Sequence, residues 1–275
     1  MARYLHSKQM RNIQPQSAFV DDWESWHRDH ELRRARPLGF LAITGLHWLD
    51  DEAQRFDDVP GAWSSNAHDV QVQLGRGEEL IVDGVRVEAE HTFEYVDENG
   101  ELASFGDAVV EVSRRDGHFM IRPRHPDNPV RTSYGGTPSY PASTAWVVTG
   151  KMITYDVPRS ITVGATVEGL EHIYESPGEI EFSLAGQSLR LIAFNGEEPD
   201  ELFIVFIDQT SATTTYAACR FLTVNAPGPD GTVTIDFNRA TNPPCAYTDF
   251  ATCPLPPTEN HLAVRVEAGE QRPYH

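Results

Sequence analysis

Apolar and polar residues alternate in short segments along most of this chain, and only one segment near its beginning repeats with a helical period. Residues 232–238, TVTIDFN, alternate strictly, which is typical of a strand with one buried face. Comparable segments recur at spacings of about ten residues, as in β-sandwiches and barrels. The predicted strands span residues 40–49, 70–73, 79–82, 85–89, 92–95, 108–114, 118–122, 145–155, 160–167, 172–175, 179–184, 188–194, 202–207, 213–224, 232–238 and 262–267.

The helical segment precedes Pro37. Its apolar and aromatic positions share one helix face at spacings of three and four residues. These positions are Phe19, Trp23, Trp26 and His30. Ser17 can cap the first turn, and Pro37 cannot continue a helix because it lacks a backbone N–H. The pattern predicts one long helix over residues 17–36.

The organisation of the chain follows from its length and from the absence of a helical period after residue 37. A chain of 275 residues suffices for one large β domain or two small ones, at about 150 residues per domain. Because no low-complexity linker divides it, we predict a single antiparallel β-barrel or β-sandwich-like domain with one N-terminal helix, over residues 17–275. Residues 1–16 are predicted to be a flexible lead-in.

Charge narrows the range of partners. The chain has 22 Lys and Arg residues against 41 Asp and Glu, which gives a formal net charge of −19. Binding to nucleic acid or to an anionic membrane requires a surplus of Lys and Arg, so we expect neither. No apolar run reaches the ~18 residues of a membrane span, and the first residues lack a signal-peptide core. Three cysteines do not form a disulfide framework. We therefore expect a cytoplasmic protein with reduced thiols.

A long loop, residues 242–260, separates the last two predicted strands. It contains five prolines and two cysteines. Loops of this length in compact domains are usually functional or disordered. The prolines reduce the entropy cost of ordering the loop, and its apolar residues can anchor it, so we predict an ordered loop.

The segment FNRATNPPCAYTDFATCPLPPTENHLAVRVEAGE, which contains this loop, resembles the C-terminal signature of the domain-of-unknown-function family 1684. FIDQTSATTTYAACRFL and GFLAITGLHWLDDEAQRF resemble other recurring segments of that family. Ala212 stands where the family pattern usually has glycine. The resemblance implies an overall shape but no reaction.

Polar residues concentrate on and around the segments that flank the loop. If residues 225–231 form a hairpin turn with Val224 opposite Thr232, Arg220 lies opposite Asp236. An arginine there could bind a carboxylate or phosphate group in a bidentate manner. The alternative is an ordinary cross-strand ion pair. The predicted ligand-binding residues are Asp208, Tyr216, Arg220, Asp236, Asn238, Asn242 and Cys245.

Two further groups have conventional alternatives. Cys245 and Cys253 are eight positions apart, which is not a zinc-binding spacing, and the simplest interpretation is a pair of small buried side chains. A nucleophilic thiolate, a disulfide or a metal ligand are the other interpretations. His27, His30 and Glu31 could bind a metal from the helix, but the motif lacks a third ligand, and a surface polar pair is favoured. The sequence identifies no catalytic residue, metal site or cofactor.

The first functional hypothesis is a β-barrel that binds a small polar or anionic molecule under the loop at 242–260. If it is an enzyme, Asp208 or Asp236 would be the general acid or base. The alternatives are a structural or protein-interaction module without catalysis, in which the loop contacts a partner or a second copy of the chain, and a metal-dependent hydrolase.

Overall fold

A computed structural model describes residues 16–273, so all but the last residue of the predicted lead-in lies outside the described residues. The long helix is α1, Gln16–Arg34, close to the predicted range, and a second, short helix, α2, spans Pro129–Thr132. The antiparallel, mainly β fold class with one long N-terminal helix is confirmed. The strands are β1 (His47–Trp48), β2 (Gln54–Phe56), β3 (Val59–Ser65), β4 (Val70–Gln73), β5 (Leu80–Val82), β6 (Val85–Val87), β7 (Glu90–Phe93), β8 (Glu101–Phe105), β9 (Ala108–Arg115), β10 (His118–Arg124), β11 (Val147–Gly164), β12 (Glu171–Leu184), β13 (Gln187–Asn195), β14 (Glu201–Phe206), β15 (Arg220–Asn225) and β16 (Thr232–Asp236).

The first ten strands form two sheets around one hydrophobic cluster. One sheet has the order β1-β10-β9-β8-β5-β6 and the other β2-β3-β4-β7. Trp63, Phe93 and Phe119 pack between them with the inward-facing residues of β9, Val110 and Val112. Period-two alternation leaves the other face of β9 pointing away from this core. That second face is where charged residues gather.

The remaining strands form a barrel-like sheet with the order β15-β14-β13-β12-β11-β16. Its edge strands, β15 and β16, approach each other and nearly close it. The interior holds apolar side chains from every strand, including Ile180, Phe182, Leu191, Ile204 and Ile235. A smaller cluster of aromatic and aliphatic side chains covers part of the outer face. Whether the two cores make one domain, as predicted, stays a prediction.

Helix α1 lies against the barrel, far along the chain from its own position. Trp23 donates from Nε1 to the Asn238 carbonyl oxygen at 2.8 Å, and Arg239 pairs with Asp22 at 2.7 Å. Arg34, in the last turn, is buried against the end of the chain. None of the helices within residues 16–273 combines the length and the apolar character that crossing a membrane requires.

Two predicted strands differ from the structure. The first part of the predicted strand at 213–224 is turn and loop, and β15 begins only at Arg220. The predicted strand at 262–267 lies outside any strand. The Asp208 carboxylate explains both differences, because its Oδ1 accepts from the Thr210 N–H at 2.8 Å and from the Val266 N–H at 3.0 Å. A side chain thereby satisfies backbone donors that a sheet would otherwise use.

Other differences are smaller. The segment at 40–49 is a 3-10 turn, Phe40–Ala42, followed by the short β1. Strands β2, β3 and β8 were not predicted. The hairpin of β9 and β10 is confirmed. Ala212 adopts φ 63°, a left-handed conformation that favours glycine, so the turn keeps its shape although alanine occupies it.

Candidate functional site

Arg220 and Asp208 form a buried ion pair inside the barrel end. The Arg220 side chain is fully inaccessible, and its Nη2 pairs with Asp208 Oδ2. Its Nη1 donates to the Ala268 carbonyl oxygen at 2.6 Å, and its guanidinium carbon lies 4.8 Å from the centre of the Phe206 ring. These contacts are all made with other groups of the protein. The contacts tie β15 to the chain's C-terminal segment.

The predicted pairing of Arg220 with Asp236 is wrong. β16 pairs with β11, where Asp236 lies opposite Val147, and β15 pairs with β14, where Arg220 lies opposite Phe206. Residues 225–231 therefore connect the two edges of the barrel-like sheet and do not form a tight hairpin between adjacent strands.

The other predicted site residues are distributed over separate places. Asn238 donates from Nδ2 to Asp236 Oδ1 at 2.7 Å and accepts at Oδ1 from the Ser143 N–H at 2.9 Å. Tyr216 donates its hydroxyl to the Cys245 carbonyl oxygen at 2.9 Å. These contacts pin loops to the barrel. The seven predicted residues therefore do not converge on one cavity.

Asn242 belongs to a further polar group, here called the helix-anchoring cluster. Its members are Glu31, Arg34, Tyr134, Thr137, Asn242, Tyr247 and Glu270. Arg34 Nη1 lies 2.8 Å from both Glu31 Oε1 and Glu270 Oε1, and Nη2 lies 2.9 Å from Glu270 Oε2. Burial disfavours the charge on Arg34, but the Glu270 carboxylate outweighs this and raises the pKa of the guanidinium. The cluster fastens the C-terminal turn of α1 to the barrel.

Hydroxyl groups complete the cluster. Tyr134 donates to Glu31 Oε2 at 2.5 Å, and the Thr137 hydroxyl lies 2.7 Å from both the Tyr134 and the Tyr247 hydroxyls. Burial raises the pKa of Tyr134 to about 12, so its hydroxyl stays protonated. A cleft of about 900 Å³ opens beside Glu31, Tyr134 and Tyr247. The polar groups at its edge are already engaged with one another.

His27, Glu31 and Glu270 offer ligand atoms within 4.8 Å of one another, the geometry of a candidate cation site. The Arg34 guanidinium, however, already lies between the two carboxylates and supplies positive charge there. His27 also stacks on Trp23, with ring centres 4.8 Å apart. This set therefore does not require an ion to balance its charge.

His30 is partly buried at the surface of the protein. Only 24% of its side chain is exposed, and its Nε2 lies 2.8 Å from Arg34 Nη2, an arrangement in which the neutral imidazole accepts the hydrogen bond. Burial, together with the positive charges of Arg34 and Arg33, lowers the pKa of His30 to about 3.

This depressed pKa predicts a pH-dependent stability. Near pH 6.5 the unfolded chain takes up a proton at His30 and the folded protein does not. The free energy of unfolding should therefore decrease as the pH falls from 6.5 towards 3, by up to about 1.4 kcal/mol per pH unit from this residue. Urea unfolding at several pH values measures the slope.

In His30→Gln, stability should depend less steeply on pH in this range, by up to about 1.4 kcal/mol per pH unit. Glutamine can accept the hydrogen bond from Arg34 but does not titrate. His68→Gln, at an exposed turn residue, is the matched control. An identical slope in wild type and His30→Gln would contradict the prediction.

All three cysteines are free thiols. The Cys245 N–H donates to Cys253 Sγ at 3.3 Å, and Cys219 donates from Sγ to the Pro254 carbonyl oxygen at 3.4 Å. A hydrogen bond from the Cys253 thiol is the main cause that lowers the pKa of Cys245, and burial raises the pKa of Cys219. The cysteines therefore pack the loop at 242–260 against the barrel, with Cys245 the most acidic thiol.

A cluster of arginines gathers where the outer face of β9 meets the barrel. Arg122 lies directly opposite Glu111 in the β9–β10 hairpin. Arg124, two residues after Arg122, and Arg115, four residues after Glu111, lie on the same face of the sheet. Glu111 is buried, 5% exposed, and pairs with Arg122 and Arg124, while Arg115 Nη2 lies 3.6 Å from it. Three guanidinium groups therefore share a single carboxylate.

These arginines border a cleft of about 450 Å³, here called the arginine cleft. The opposite wall of the cleft consists of Pro244 and residues 251–254 of the loop at 242–260, together with Tyr174 and Phe221 of the barrel. The loop predicted to cover a site does line a cleft. The cleft lies between the first sheet and the outside of the barrel, not within the barrel.

Electrostatics in the arginine cleft favour an added negative charge. Burial alone would raise the pKa of Glu111, but the ion pairs with Arg122 and Arg124 outweigh it and hold that pKa below its usual value. Burial and the neighbouring Arg122 lower the pKa of Arg115, a consequence of placing like charges together. The Nε atoms of Arg122 and Arg124 are buried and without a hydrogen-bond partner.

Sequence reasoning missed these arginines, although a signal existed. Arg115-Asp116-Gly117 marks the turn of the β9–β10 hairpin, and the register that it sets brings Arg122 opposite Glu111. That the barrel would close over this face was not evident, because it depends on contacts between distant parts of the chain.

Comparisons with known proteins agree with the motifs in the sequence. A family model described as "Protein of unknown function (DUF1684)" matches residues 132–271, about half of the chain. The segment at 39–56, which also resembles the family, lies outside that match. The chain is similar to an uncharacterized protein of Haloarcula marismortui, known from a solution NMR structure, with 29% identity over 51% of this chain and 78% of that chain and a TM-score of 0.44.

No curated protein matches the chain. The matched range contains the whole barrel-like sheet, the loop at 242–260 and Glu270. On the strength of this match, the chain belongs to the DUF1684 family of proteins of unknown function.

Proposed function

We propose that this protein binds a small anionic molecule in the arginine cleft. The observation that carries the proposal is the sharing of one carboxylate, Glu111, by Arg115, Arg122 and Arg124 at a cleft of about 450 Å³. A local surplus of positive charge in a chain of net charge −19 requires a reason. Binding of a carboxylate or phosphate group is the simplest one, because guanidinium groups recognise both in a bidentate manner.

Partial burial makes the site selective for charge. Between 11% and 20% of each of the three arginine side chains is exposed, so an anion that contacts them loses part of its hydration shell. The interaction is then stronger than at an open surface.

The site replaces the pocket predicted from the sequence but keeps the class of ligand. A cytoplasmic location remains our expectation and fits the free thiols. The proposal concerns binding, and we assign no catalytic residue. In the alternative, a structural or protein-interaction module, the same arginines would serve only as ion-pair partners of Glu111.

Calorimetric titration with inorganic phosphate in a low-salt buffer tests the proposal. We expect saturable binding to the wild type and at least about a tenfold weaker affinity for Arg115→Gln. Arg190→Gln is the matched control, since Arg190 is an exposed arginine that pairs with Glu181 elsewhere on the barrel.

Glu111→Gln sharpens the test because it acts in the opposite direction. Removal of the shared carboxylate leaves Glu98 as the acidic residue lining the cleft beside three guanidinium groups, so phosphate should bind about tenfold more tightly and should raise the melting temperature more than in the wild type. Absence of phosphate binding in both the wild type and Glu111→Gln would refute the proposed site.

A further inference from the structure

The arginine cleft is one end of a longer groove along the outer face of the barrel. A second cleft of about 460 Å³ shares Tyr174, Phe221 and Pro254 with it. A third, of about 310 Å³, shares Phe221 and Thr223 with the second. Because Phe221 borders all three, the clefts lie side by side, and together they are here called the groove.

The middle of the groove has an aromatic floor. In β14 the residues alternate, with Leu202 and Ile204 inside the barrel and Phe203 outside. The Phe203 ring lies 5.0 Å from the Phe221 ring, edge to face, and 6.3 Å from the Tyr174 ring. All three rings are only partly buried. The floor in this part is therefore aromatic and accessible, and its rim carries polar groups, including the carboxylates of Glu197 and Glu201.

Charge is distributed unequally along the groove. The arginine cleft has a surplus of positive charge. At the far end, Arg33 and Arg239 face the groove together with Glu201, and Arg239 is already paired with Asp22 at 2.7 Å. The far end is therefore mixed in charge, and it does not offer a second anion site comparable with the first.

We infer that the groove takes a small single-chain amphiphilic anion, with its acidic headgroup among Arg115, Arg122 and Arg124 and its apolar chain over Tyr174 and Phe221. The inference rests on the proposed function, because it uses the same headgroup site and adds the class of the rest of the ligand. Charge complementarity orients the molecule, and burial of its chain against the aromatic floor adds affinity.

The occupant is a free molecule and not a lipid within a bilayer. The net charge of −19 opposes approach to an anionic membrane, and the headgroup site lies in a cleft between the first sheet and the barrel. A lipid whose alkyl chain extends from that cleft along the groove would have to be extracted completely from a bilayer.

Titration with monomeric alkyl phosphates of increasing chain length tests the inference. Relative to inorganic phosphate, affinity for the wild type should rise roughly fourfold for each added methylene while the chain stays within the groove, and then level off. Phe203→Ala should reduce this increment. Thr223→Trp, at an exposed groove residue, should make affinity level off at a shorter chain.

Both variants should bind inorganic phosphate as the wild type does, which also shows that they fold. Ile173→Ala, at a residue 71% exposed that does not line the groove, is the control. Phosphate binding without a chain-length increment would overturn the inference and leave the proposed function standing, whereas no phosphate binding at all would overturn both. Binding only to anionic vesicles, and not to monomeric alkyl phosphates, would also overturn the inference.

Discussion

Substitution of Arg220 by alanine is expected to lower the free energy of unfolding by about 3–5 kcal/mol. The guanidinium is fully buried, pairs with Asp208 and donates to the carbonyl oxygens of Ala268 and Val266. Its removal leaves the Asp208 carboxylate buried without its charge partner and leaves both carbonyl oxygens without these donors. It also leaves a cavity beside Phe206. Chemical denaturation measures the change.

The comparison that isolates burial uses Arg190→Ala. Arg190 also pairs with carboxylates, Glu179 and Glu181, but 58% of its side chain is exposed, so the loss should stay below about 1 kcal/mol. A double variant, Arg220→Met with Asp208→Asn, should recover part of the stability lost by Arg220→Ala, because it leaves no buried charge unpaired and the amide oxygen can still accept from the N–H groups of Thr210 and Val266. A loss of less than about 1 kcal/mol for Arg220→Ala would show that the ion pair does not hold β15 to the C-terminal segment.

The role of Arg220 shows where sequence reasoning ended. Alternation correctly placed Leu222 and Arg220 on one face of a strand and Phe221 on the other. It could not establish which strand lies beside β15, because that depends on closure of the six-stranded sheet. With β14 as the neighbour, Arg220 meets Asp208 and not Asp236.

Local signals, in contrast, were reliable. The period of the aromatic residues located α1, and the Asp116-Gly117 turn located the β9–β10 hairpin. Both signals depend on residues a few positions apart. Strand β3 has no such signal, because it contains Pro60 and Gly61 and shows little alternation of apolar and charged residues. Its place in a sheet comes from tertiary packing, with Trp63 at its centre.

The arginine cleft was unpredictable for the same reason, at a larger scale. Its walls come from β9 and β10, from Tyr174 and from the loop at 242–260, which are widely separated in the sequence. Single arginines on strands are usually solvent-exposed, and only the barrel lying against the outer face of β9 makes these partly buried. The density of prolines in the loop did indicate an ordered wall near a cleft, because proline stiffens a loop without a partner strand.

Glu270→Ala is expected to cost about 3–5 kcal/mol, comparable with the loss at Arg220. Glu270 is 1% exposed. Its carboxylate pairs with Arg34 of α1 and accepts a hydrogen bond from the Asn242 N–H at 2.6 Å. Without it, the Arg34 charge is left with the partly exposed Glu31 as its remaining carboxylate partner. The end of α1 should then detach from the barrel, so limited proteolysis should cleave near Arg34 before the barrel unfolds.

The matched control for this prediction is Glu267→Ala, three residues earlier. Glu267 pairs with Arg265 at 3.0 Å, but half of its side chain is exposed, so its loss should change stability by less than about 1 kcal/mol. Arg34→Met should reproduce the early cleavage, since it removes the other partner of the same pair. Equal protease resistance of α1 in Glu270→Ala and Glu267→Ala would mean that Trp23 and Asp22 hold the helix to the barrel without the helix-anchoring cluster.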